Sequence, residues 1–233
     1  MGPCAPTDQP GTDYQSKACE WLIAEMRVIA GSARGAPLRA PPGAELRPTA
    51  DKLKGAIFSM LEAEAYKREV LPPPDAPVGT MLAGVAWPVV LDLYAGSGAL
   101  GIEALSRGAR WADFVEHDAA ARKALRANLE RTRLADRAAV HAIKAETVVS
   151  TWSRPYDLIL LDPPYADPGV PALLAALGRS ALVAPGGIVV LEHARGYAPP
   201  DVIGRLTLYK SRHHGGSGIT LYVPNPTAES ATP

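Results

Sequence analysis

An apolar run of the chain ends in two prolines flanked by an acid and a tyrosine, Asp162-Pro163-Pro164-Tyr165. An exocyclic amine on a nucleobase is a weak nucleophile, and acceptors that hold both of its N–H groups favour the pyramidal nitrogen of a transition state. The Asp162 carboxylate and the Pro163 carbonyl could be those acceptors, because prolines lack a backbone N–H and stiffen the turn. The Tyr165 ring could stack on the base. The turn therefore predicts chemistry on a nucleobase amine; the alternative is a rigid strand-end turn with a core-packed tyrosine.

A second chemical signal precedes this turn, where a strand opens into the glycine-rich segment 96–101, Gly-Ser-Gly-Ala-Leu-Gly. The segment matches the turn that brings a nucleotide to a helix N-terminus, and Glu116 ends the next strand, where an acid would bind ribose hydroxyls. This pattern alone also fits NAD. Asp92 argues against NAD, since its charge would repel a diphosphate but attract the sulfonium and ammonium groups of S-adenosylmethionine. The alternatives are that Asp92 only caps loop N–H groups and that Glu116 is a solvated acid.

The elements that position these two motifs follow from the hydrophobic pattern. Apolar runs predict strands at 89–93, 112–116, 139–143, 157–162 and 187–192. Helical segments at about 99–107, 118–134, 145–152 and 169–180 alternate with them. This alternation predicts a mostly parallel sheet with helices on both faces. Two further runs, 206–209 and 219–223, predict an antiparallel hairpin at the sheet edge, with 210–218 as its loop.

The composition excludes several classes of protein. The 233 residues carry 24 basic and 24 acidic side chains, so net charge gives no argument for nucleic acid. No run approaches the about 20 apolar residues of a membrane span. Cys4 and Cys19 both lie near the N-terminus, away from any cluster of possible metal ligands, so we expect neither a disulfide nor a metal site. A cytoplasmic protein is the expectation.

The chain divides into five expected segments. Residues 1–25 lack the features of a signal or transit peptide and are expected to be a disordered tail. A basic extension at 26–66 begins with a strand signal and continues into a helix that Thr49 can cap. A Pro/Gly-rich loop at 67–88 leads into the main domain at 89–223, and a tail follows at 224–233.

The chain resembles the bacterial small-subunit ribosomal RNA guanine-N2 methyltransferases, the RsmD family, from about Met26 to Val223. The resemblance rests on the long block from Asp92 to Gly108, on Asp162-Pro-Pro-Tyr165, and on shorter pieces. These shorter pieces are Arg27-Val-Ile-Ala-Gly31, Arg34-Gly35, Arg47-Pro-Thr49 with Asp51, Phe114-Val-Glu116 and Glu192-His193. It implies a Rossmann-like class I fold, with a mostly parallel seven-stranded sheet, helices on both faces and an antiparallel edge hairpin. It also implies that translation could begin at Met26, in which case removal of residues 1–25 should leave activity and stability unchanged.

The resemblance further implies roles for individual residues. The residues expected to bind S-adenosylmethionine are Asp92, Tyr94, Ala95, Gly96, Ser97, Gly98, Gly101, Glu116 and Asp162. The residues expected to hold the target guanine are Asp162, Pro163, Pro164 and Tyr165. The basic residues expected to contact RNA phosphates are Arg27, Arg34, Arg47, Lys52 and Lys54. The basic helix around Arg122 and Arg126 is better interpreted as a solvated outer face, and the sequence leaves the role of His193 open.

The chain departs from the family pattern at several positions. Lys144 stands where the family usually has an aspartate that accepts from the adenine amine, and an ammonium group cannot accept that hydrogen bond. Lys52, Lys54 and Gly55 stand where arginines and an acid are common, which would soften phosphate recognition. The loop at 66–88 is longer than usual.

The expected function is transfer of a methyl group from S-adenosylmethionine to the N2 amine of a guanine in small-subunit (16S) ribosomal RNA. The expected partner is that RNA or an assembling 30S particle, and the expected state is a monomer. The nearest rival is an adenine-N6 or other nucleobase methyltransferase acting on DNA or tRNA. An NAD-dependent oxidoreductase and a non-catalytic RNA-binding assembly factor are rivals from other classes.

Overall fold

The computed structural model describes residues 26–41 and 50–225. Its helices are α1 Ala50–Lys67, α2 Leu82–Ala86, α3 Ala99–Ser106, α4 Ala119–Thr132, α5 Ala145–Thr151 and α6 Val170–Leu177, with a 3-10 turn at Ala135–Arg137. Its strands are β1 Val89–Leu93, β2 Trp111–Val115, β3 Ala138–His141, β4 Tyr156–Leu161, β5 Val183–Ala194, β6 Val202–Ile203, β7 Leu206–His214 and β8 Ser217–Pro224. The expected tail at 1–25 lies outside the described residues, as does 226–233. None of the described helices is long and apolar enough to cross a membrane.

All eight strands form one sheet in the order β3-β2-β1-β4-β5-β8-β7-β6. The first five are parallel to one another, and β8, β7 and β6 continue the sheet in antiparallel pairs. The predicted mostly parallel sheet with an antiparallel hairpin is confirmed. The two-residue strand β6 raises the expected seven strands to eight, and it is too short to leave a pattern in the sequence.

Two apolar layers cover the two faces of the sheet, and β4 shows how one strand serves both. Leu158 and Leu160 pack with α1, α3 and α4, whereas Ile159 and Leu161 pack with α5 and α6. Successive side chains of a strand point to opposite faces, so an uninterrupted apolar run is required where both faces are covered. This requirement explains why the parallel strands were readable from the sequence.

The hairpin is longer than the sequence predicts. β7 continues to His214 and β8 begins at Ser217, so the expected loop at 210–218 shrinks to Gly215-Gly216. Gly215 has a φ of +58°, a conformation that suits a two-residue hairpin turn. The prediction failed because the outer half of β7 is polar and exposed, and such a strand shows no apolar alternation.

The expected loop at 67–88 is wrong for its last part. Residues 82–86 form α2, and Trp87 after it is buried in the core. Gly84 allows this helix to lie against the end of α3, because a Cβ at Gly84 would stand 2.4 Å from the carbonyl oxygen of Arg107. A helix of one turn has no periodicity to detect, and this close packing decides its position.

Candidate active site

A cavity of about 480 Å³ opens at the carboxyl ends of the parallel strands. Ligands of open α/β sheets bind at this edge, because the loops that follow neighbouring strands meet there. Ten residues predicted to bind the cofactor or the base line the cavity: Asp92, Tyr94, Ala95, Gly96, Ser97, Glu116, Asp162, Pro163, Pro164 and Tyr165. Lys54, predicted to contact RNA, lines it as well. The fold therefore brings the glycine-rich loop and the Asp-Pro-Pro-Tyr turn, which are far apart in sequence, to one cavity.

The glycines of the loop fall into two groups. Gly96 lines the cavity with a φ of +54°, next to the positive φ of +61° at Tyr94. Gly98 and Gly101 instead allow α3 to pack: an added Cβ would lie 2.2 Å from the Leu125 side chain at Gly98 and 2.3 Å from the Phe114 ring at Gly101. These two glycines shape the loop, and they are not part of the cavity wall.

Asp92 is 1% exposed, and its Oδ2 accepts a hydrogen bond of 2.9 Å from the backbone N–H of Gly101. Burial raises the pKa of Asp92 to about 8; the Gly101 hydrogen bond opposes this shift, and the charges of Asp162 and Glu116 add to it. Asp92 therefore does accept from an N–H group of the loop. It also lines the cavity, so capping the loop is not its only contact. A buried carboxylate of this kind would be stabilised by a cationic ligand.

Glu116 joins the end of β2 to the glycine-rich loop. Its Oε2 accepts from the Gly96 N–H at 2.8 Å, and its Oε1 accepts from the Asp118 N–H at 2.8 Å. Glu116 is buried at the cavity wall, so it is not a solvated strand-end acid. A carboxylate fixed in this way has lone pairs suited to a pair of ribose hydroxyls.

The tyrosine of the Asp-Pro-Pro-Tyr turn is held by two residues that sequence reasoning did not include among the sites. The Tyr165 hydroxyl donates to Glu192 Oε1 at 2.8 Å and lies 2.5 Å from Ser217 Oγ. Burial is the main cause of a raised Tyr165 pKa, so the hydroxyl keeps its proton and can donate. Both Glu192 and Ser217 line the cavity. The acid that ends the apolar run of β5 was a signal for Glu192, whereas only the hairpin register brings Ser217 here.

Tyr94 makes a similar contact on the opposite side of the turn. Its hydroxyl donates to Glu146 Oε1 at 3.2 Å, at the start of α5. Burial, followed by the charge of Glu146, raises the Tyr94 pKa. The neutral ring therefore forms a stable part of the cavity wall.

The N-terminal segment at 26–41, expected only to contact RNA, supplies another part of the wall through Met26, Ala40 and Pro41. It is held against α3 by the buried carboxylate of Glu103, which accepts from the backbone N–H groups of Ile29 at 2.7 Å and Ala30 at 3.0 Å. This segment therefore connects the cavity to the basic surface.

Three of the five predicted RNA contacts are exposed: Arg27, Arg34 and Lys52. Arg39, a further basic residue of the same segment, is exposed as well. Arg47 lies outside the described residues. Arg27, Arg39 and Lys52 each adjoin a residue that lines the cavity, whereas Arg34 lies near Ser106 at the far end of α3. These residues form a basic strip that leads away from the cavity along the N-terminal segment.

Lys54 does not belong to that strip. It is 3% exposed, its Nζ donates to the Arg27 carbonyl at 2.6 Å, and Asp51 and Glu103 each lie 3.6 Å from it. Burial lowers the Lys54 pKa, although the two carboxylates oppose that shift. The prediction of a phosphate contact for Lys54 is corrected: helical spacing puts Lys52 outside and turns Lys54 into the protein.

Two ambiguous residues are placed by the fold. His193 lies inside the sheet, with Nε2 2.9 Å from Thr220 Oγ1, and burial lowers its pKa. It is a core histidine. Lys144, which precedes α5, is exposed and does not line the cavity. In the part of the chain that the structure describes, no group of three or more His, Cys, Asp or Glu side chains could hold a metal ion.

Known proteins that are similar to this chain include methyltransferases. The model of the family described as "Conserved hypothetical protein 95" matches residues 26–223. "Putative rRNA methyltransferase YlbH" of Bacillus subtilis is 34% identical over 200 residues, which cover 84% of this chain and 98% of that protein. "Ribosomal RNA small subunit methyltransferase D" of Escherichia coli K12 is 27% identical over 206 residues, covering 88% and 93%. The solved structure "Putative methyltransferase yhhF" from Escherichia coli superposes with a TM-score of 0.68 at 29% identity, covering 86% of this chain and 98% of that one.

Proposed function

The chain belongs to the family described as "Conserved hypothetical protein 95", the RsmD family of methyltransferases, and we propose that it methylates the N2 amine of a guanine in small-subunit ribosomal RNA. The products are N2-methylguanosine and S-adenosylhomocysteine. The observation that carries this proposal is the shared cavity: Asp92 and Glu116 lie on its wall together with Asp162 and Tyr165. One opening thus offers contacts for a nucleoside cofactor and for a base.

The cofactor side of the cavity fits S-adenosylmethionine. The carboxylate of Asp92 suits the cationic methionine portion, and Glu116 suits the ribose hydroxyls. Gly96 and Ser97 bring the backbone of the loop to the cavity wall. When bound, the cofactor supplies an electrophilic methyl group on a positively charged sulfur.

The base side of the cavity holds the amine. Asp162 and the Pro163 carbonyl accept its two N–H groups and keep the nitrogen lone pair directed into the cavity. Tyr165 stacks on the base, which fixes its plane. No general base with a raised pKa is required, because the nitrogen becomes acidic once it carries the methyl group, and Asp162 can then take the surplus proton.

RNA reaches this opening along the basic strip. The exposed side chains of Arg27, Arg34, Arg39 and Lys52 would contact phosphates without reading sequence. The hairpin end with Arg212, His213 and His214 lies next to Ser217 on the side of the target base, and we include it in the RNA surface. Arg205, at the other end of β7, contacts Ser180 and lies far from the cavity along the strand. The substrate is the RNA alone or an assembling 30S particle in the cytoplasm.

The geometry disfavours an NAD-dependent oxidoreductase. The Asp92 carboxyl group already accepts from the Gly101 N–H of the loop that would receive a diphosphate, and it offers that anion no attraction. An oxidoreductase also gives no role to the Asp-Pro-Pro-Tyr turn. An adenine-N6 methyltransferase could use the same residues in the same roles. Identification of the methylated nucleoside distinguishes it from a guanine-N2 methyltransferase.

The test is transfer of labelled methyl from S-adenosylmethionine to unmodified small ribosomal subunits, naked ribosomal RNA, tRNA and DNA in parallel, with chromatography of the product nucleosides. N2-methylguanosine formed with ribosomal substrates alone supports the proposal, and N6-methyladenine contradicts its choice of base. The Asp162→Ala variant serves as the matched control. It should lose methylation but keep RNA binding and the fold; a variant that stays active would remove Asp162 from the amine site.

A further inference from the structure

Asp162 directly follows β4, and Glu192 holds the corresponding position on the neighbouring parallel strand β5. Leu161 of β4 is in register with Leu191 of β5, and the two acids are the residues that follow. Both leucines pack in the layer that contains α5 and α6, so Glu192, the next residue of β5, points to the other face. Asp162 follows the end of β4 and lines the same cavity as Glu192. Neighbouring parallel strands lie about 4.8 Å apart. The cavity wall therefore carries two carboxylates side by side.

Glu192 is only 7% exposed, and its Oε1 accepts from the Tyr165 hydroxyl at 2.8 Å. This contact ties the carboxylate to the ring on which the base would stack. A carboxylate has about four lone-pair sites, so a hydrogen bond from tyrosine leaves it able to accept from a ligand as well. Its orientation is thus set relative to the plane of the base.

The edge of guanine that carries the N2 amine has a second donor, N1–H, directly beside it. Adenine differs at this point, because the neighbour of its N6 amine is N1 with a lone pair, which is an acceptor. Two adjacent carboxylates match the two adjacent donors of guanine. The same pair would place a carboxylate against the N1 lone pair of adenine, an unfavourable contact in a partly desolvated site.

We propose that Glu192 accepts a hydrogen bond from N1–H of the target base and makes the site specific for guanine over bases with an acceptor at N1. Asp162 holds the amine that is methylated, and Glu192 reads the adjacent ring nitrogen. This inference rests on the proposed function and assigns base selection within that site. It also gives Glu192 a second role besides holding Tyr165.

The experiment uses small subunits reconstituted with 16S RNA in which the methylated guanosine, once mapped, is replaced by 2-aminopurine. This base keeps the C2 amine but has an acceptor at N1. The wild-type protein should methylate guanosine with a kcat/KM about 10- to 150-fold higher than 2-aminopurine, the range of a hydrogen bond to a charged group. The Glu192→Gln variant should lose most of this preference, because its amide can donate to the N1 lone pair. Binding measured without cofactor should show the same pattern: the wild-type protein should bind the guanosine RNA more tightly than the 2-aminopurine RNA, and Glu192→Gln should lose most of this difference.

Two controls separate recognition from simple support of Tyr165. Ser217→Ala removes the other hydroxyl partner of Tyr165 but no carboxylate, so it should lower activity on both bases and leave their ratio unchanged. Replacement of the target guanosine by 6-thioguanosine alters position 6 but keeps N1–H. The wild-type protein should therefore still prefer 6-thioguanosine over 2-aminopurine. A Glu192→Gln ratio that stays at the wild-type value, like that of Ser217→Ala, overturns the proposal.

The wild-type protein provides a test that does not depend on a folded variant. Equal methylation of guanosine and 2-aminopurine would contradict the role of Glu192 while leaving the proposed function intact. Methylation of adenosine N6, with guanosine left unmodified, would contradict the proposed function itself.

Discussion

The side-chain amide of Asn128 in α4 donates a hydrogen bond of 2.9 Å to the carbonyl oxygen of Ser97 in the glycine-rich loop. The same fully buried side chain forms a pair of hydrogen bonds with the backbone of Arg39, accepting from its N–H at 2.8 Å and donating to its carbonyl at 2.9 Å. One residue thus joins the cofactor loop to the N-terminal segment that carries the basic strip.

Replacement of Asn128 with alanine should destabilise the fold and weaken S-adenosylmethionine binding several-fold. Three partly buried backbone groups would lose their partner, at a cost of at most about 1–3 kcal/mol each, and water would offset part of this cost. Urea unfolding and calorimetric titration with S-adenosylmethionine measure the two effects. Arg126→Ala on the exposed face of α4 is the control, and its stability should stay within about 0.5 kcal/mol. Unchanged cofactor affinity in Asn128→Ala would show that the loop does not depend on this link.

Affinity for S-adenosylmethionine should rise with pH up to about 8 and then level off. Asp92 has a raised pKa of about 8 without ligand, so at lower pH it is protonated, whereas a bound cation favours its ionised form. Binding below pH 8 must then release a proton, and affinity should increase by up to about tenfold per pH unit. Titration in two buffers of different ionisation enthalpy measures the proton directly.

Asp92→Asn is the reference for this pH dependence. The amide should bind the cofactor weakly at every pH and remove the proton release. The raised pKa also means that the ligand-free protein loses stability as pH rises from about 4 to about 8, since the unfolded carboxyl ionises first. A pH dependence of cofactor affinity that survives in Asp92→Asn would show that another group is responsible.

The ring and the hydroxyl of Tyr165 should make separate contributions to kcat/KM for methylation. Tyr165→Phe keeps the stacking surface but removes the hydroxyl that donates to Glu192, so we expect a moderate loss of kcat/KM. Tyr165→Ala also loses stacking of about 1–3 kcal/mol, a further loss of about 5- to 150-fold. Steady-state methylation of small subunits by both variants measures the difference. Equal activity of the two variants would exclude a stacking role.

Substitutions of Lys52 and Lys54 should have different effects on stability and on RNA binding, although both residues lie near the start of α1. Lys54→Met removes an ammonium group from the buried pair with Glu103 and should cost about 2 kcal/mol or more in unfolding free energy. Lys52→Ala should leave stability within about 0.5 kcal/mol but weaken RNA binding, lowering the salt dependence of the affinity by about one phosphate contact. Denaturant unfolding and binding at several salt concentrations separate them. A Lys54→Met protein of normal stability with weakened RNA binding would return Lys54 to the RNA surface.

The fold was predictable from the sequence where a helix or strand has a hydrophobic periodicity of its own. Apart from Asp92 and Asp157, the buried strands β1 and β4 are apolar on both faces, and the amphipathic helix α4 has its buried residues at helical spacing. Each of these elements therefore leaves a signal in the sequence. The polar half of β7 and the five-residue helix α2 leave no such signal, because contacts with distant parts of the chain hold them in place.

By itself, the sequence determined the class of chemistry. A glycine-rich turn after a strand that carries Asp92, followed by Asp162-Pro-Pro-Tyr165, specifies backbone geometry and functional groups that act locally, and those features are read from residue types in order. Only the tertiary structure showed that Glu192 and Ser217 contact the Tyr165 hydroxyl and that Lys54 is buried. It also showed that residues of the N-terminal segment line the cavity. The physical reason is that strand register and segment docking depend on contacts between residues far apart in the chain, which local periodicity does not report.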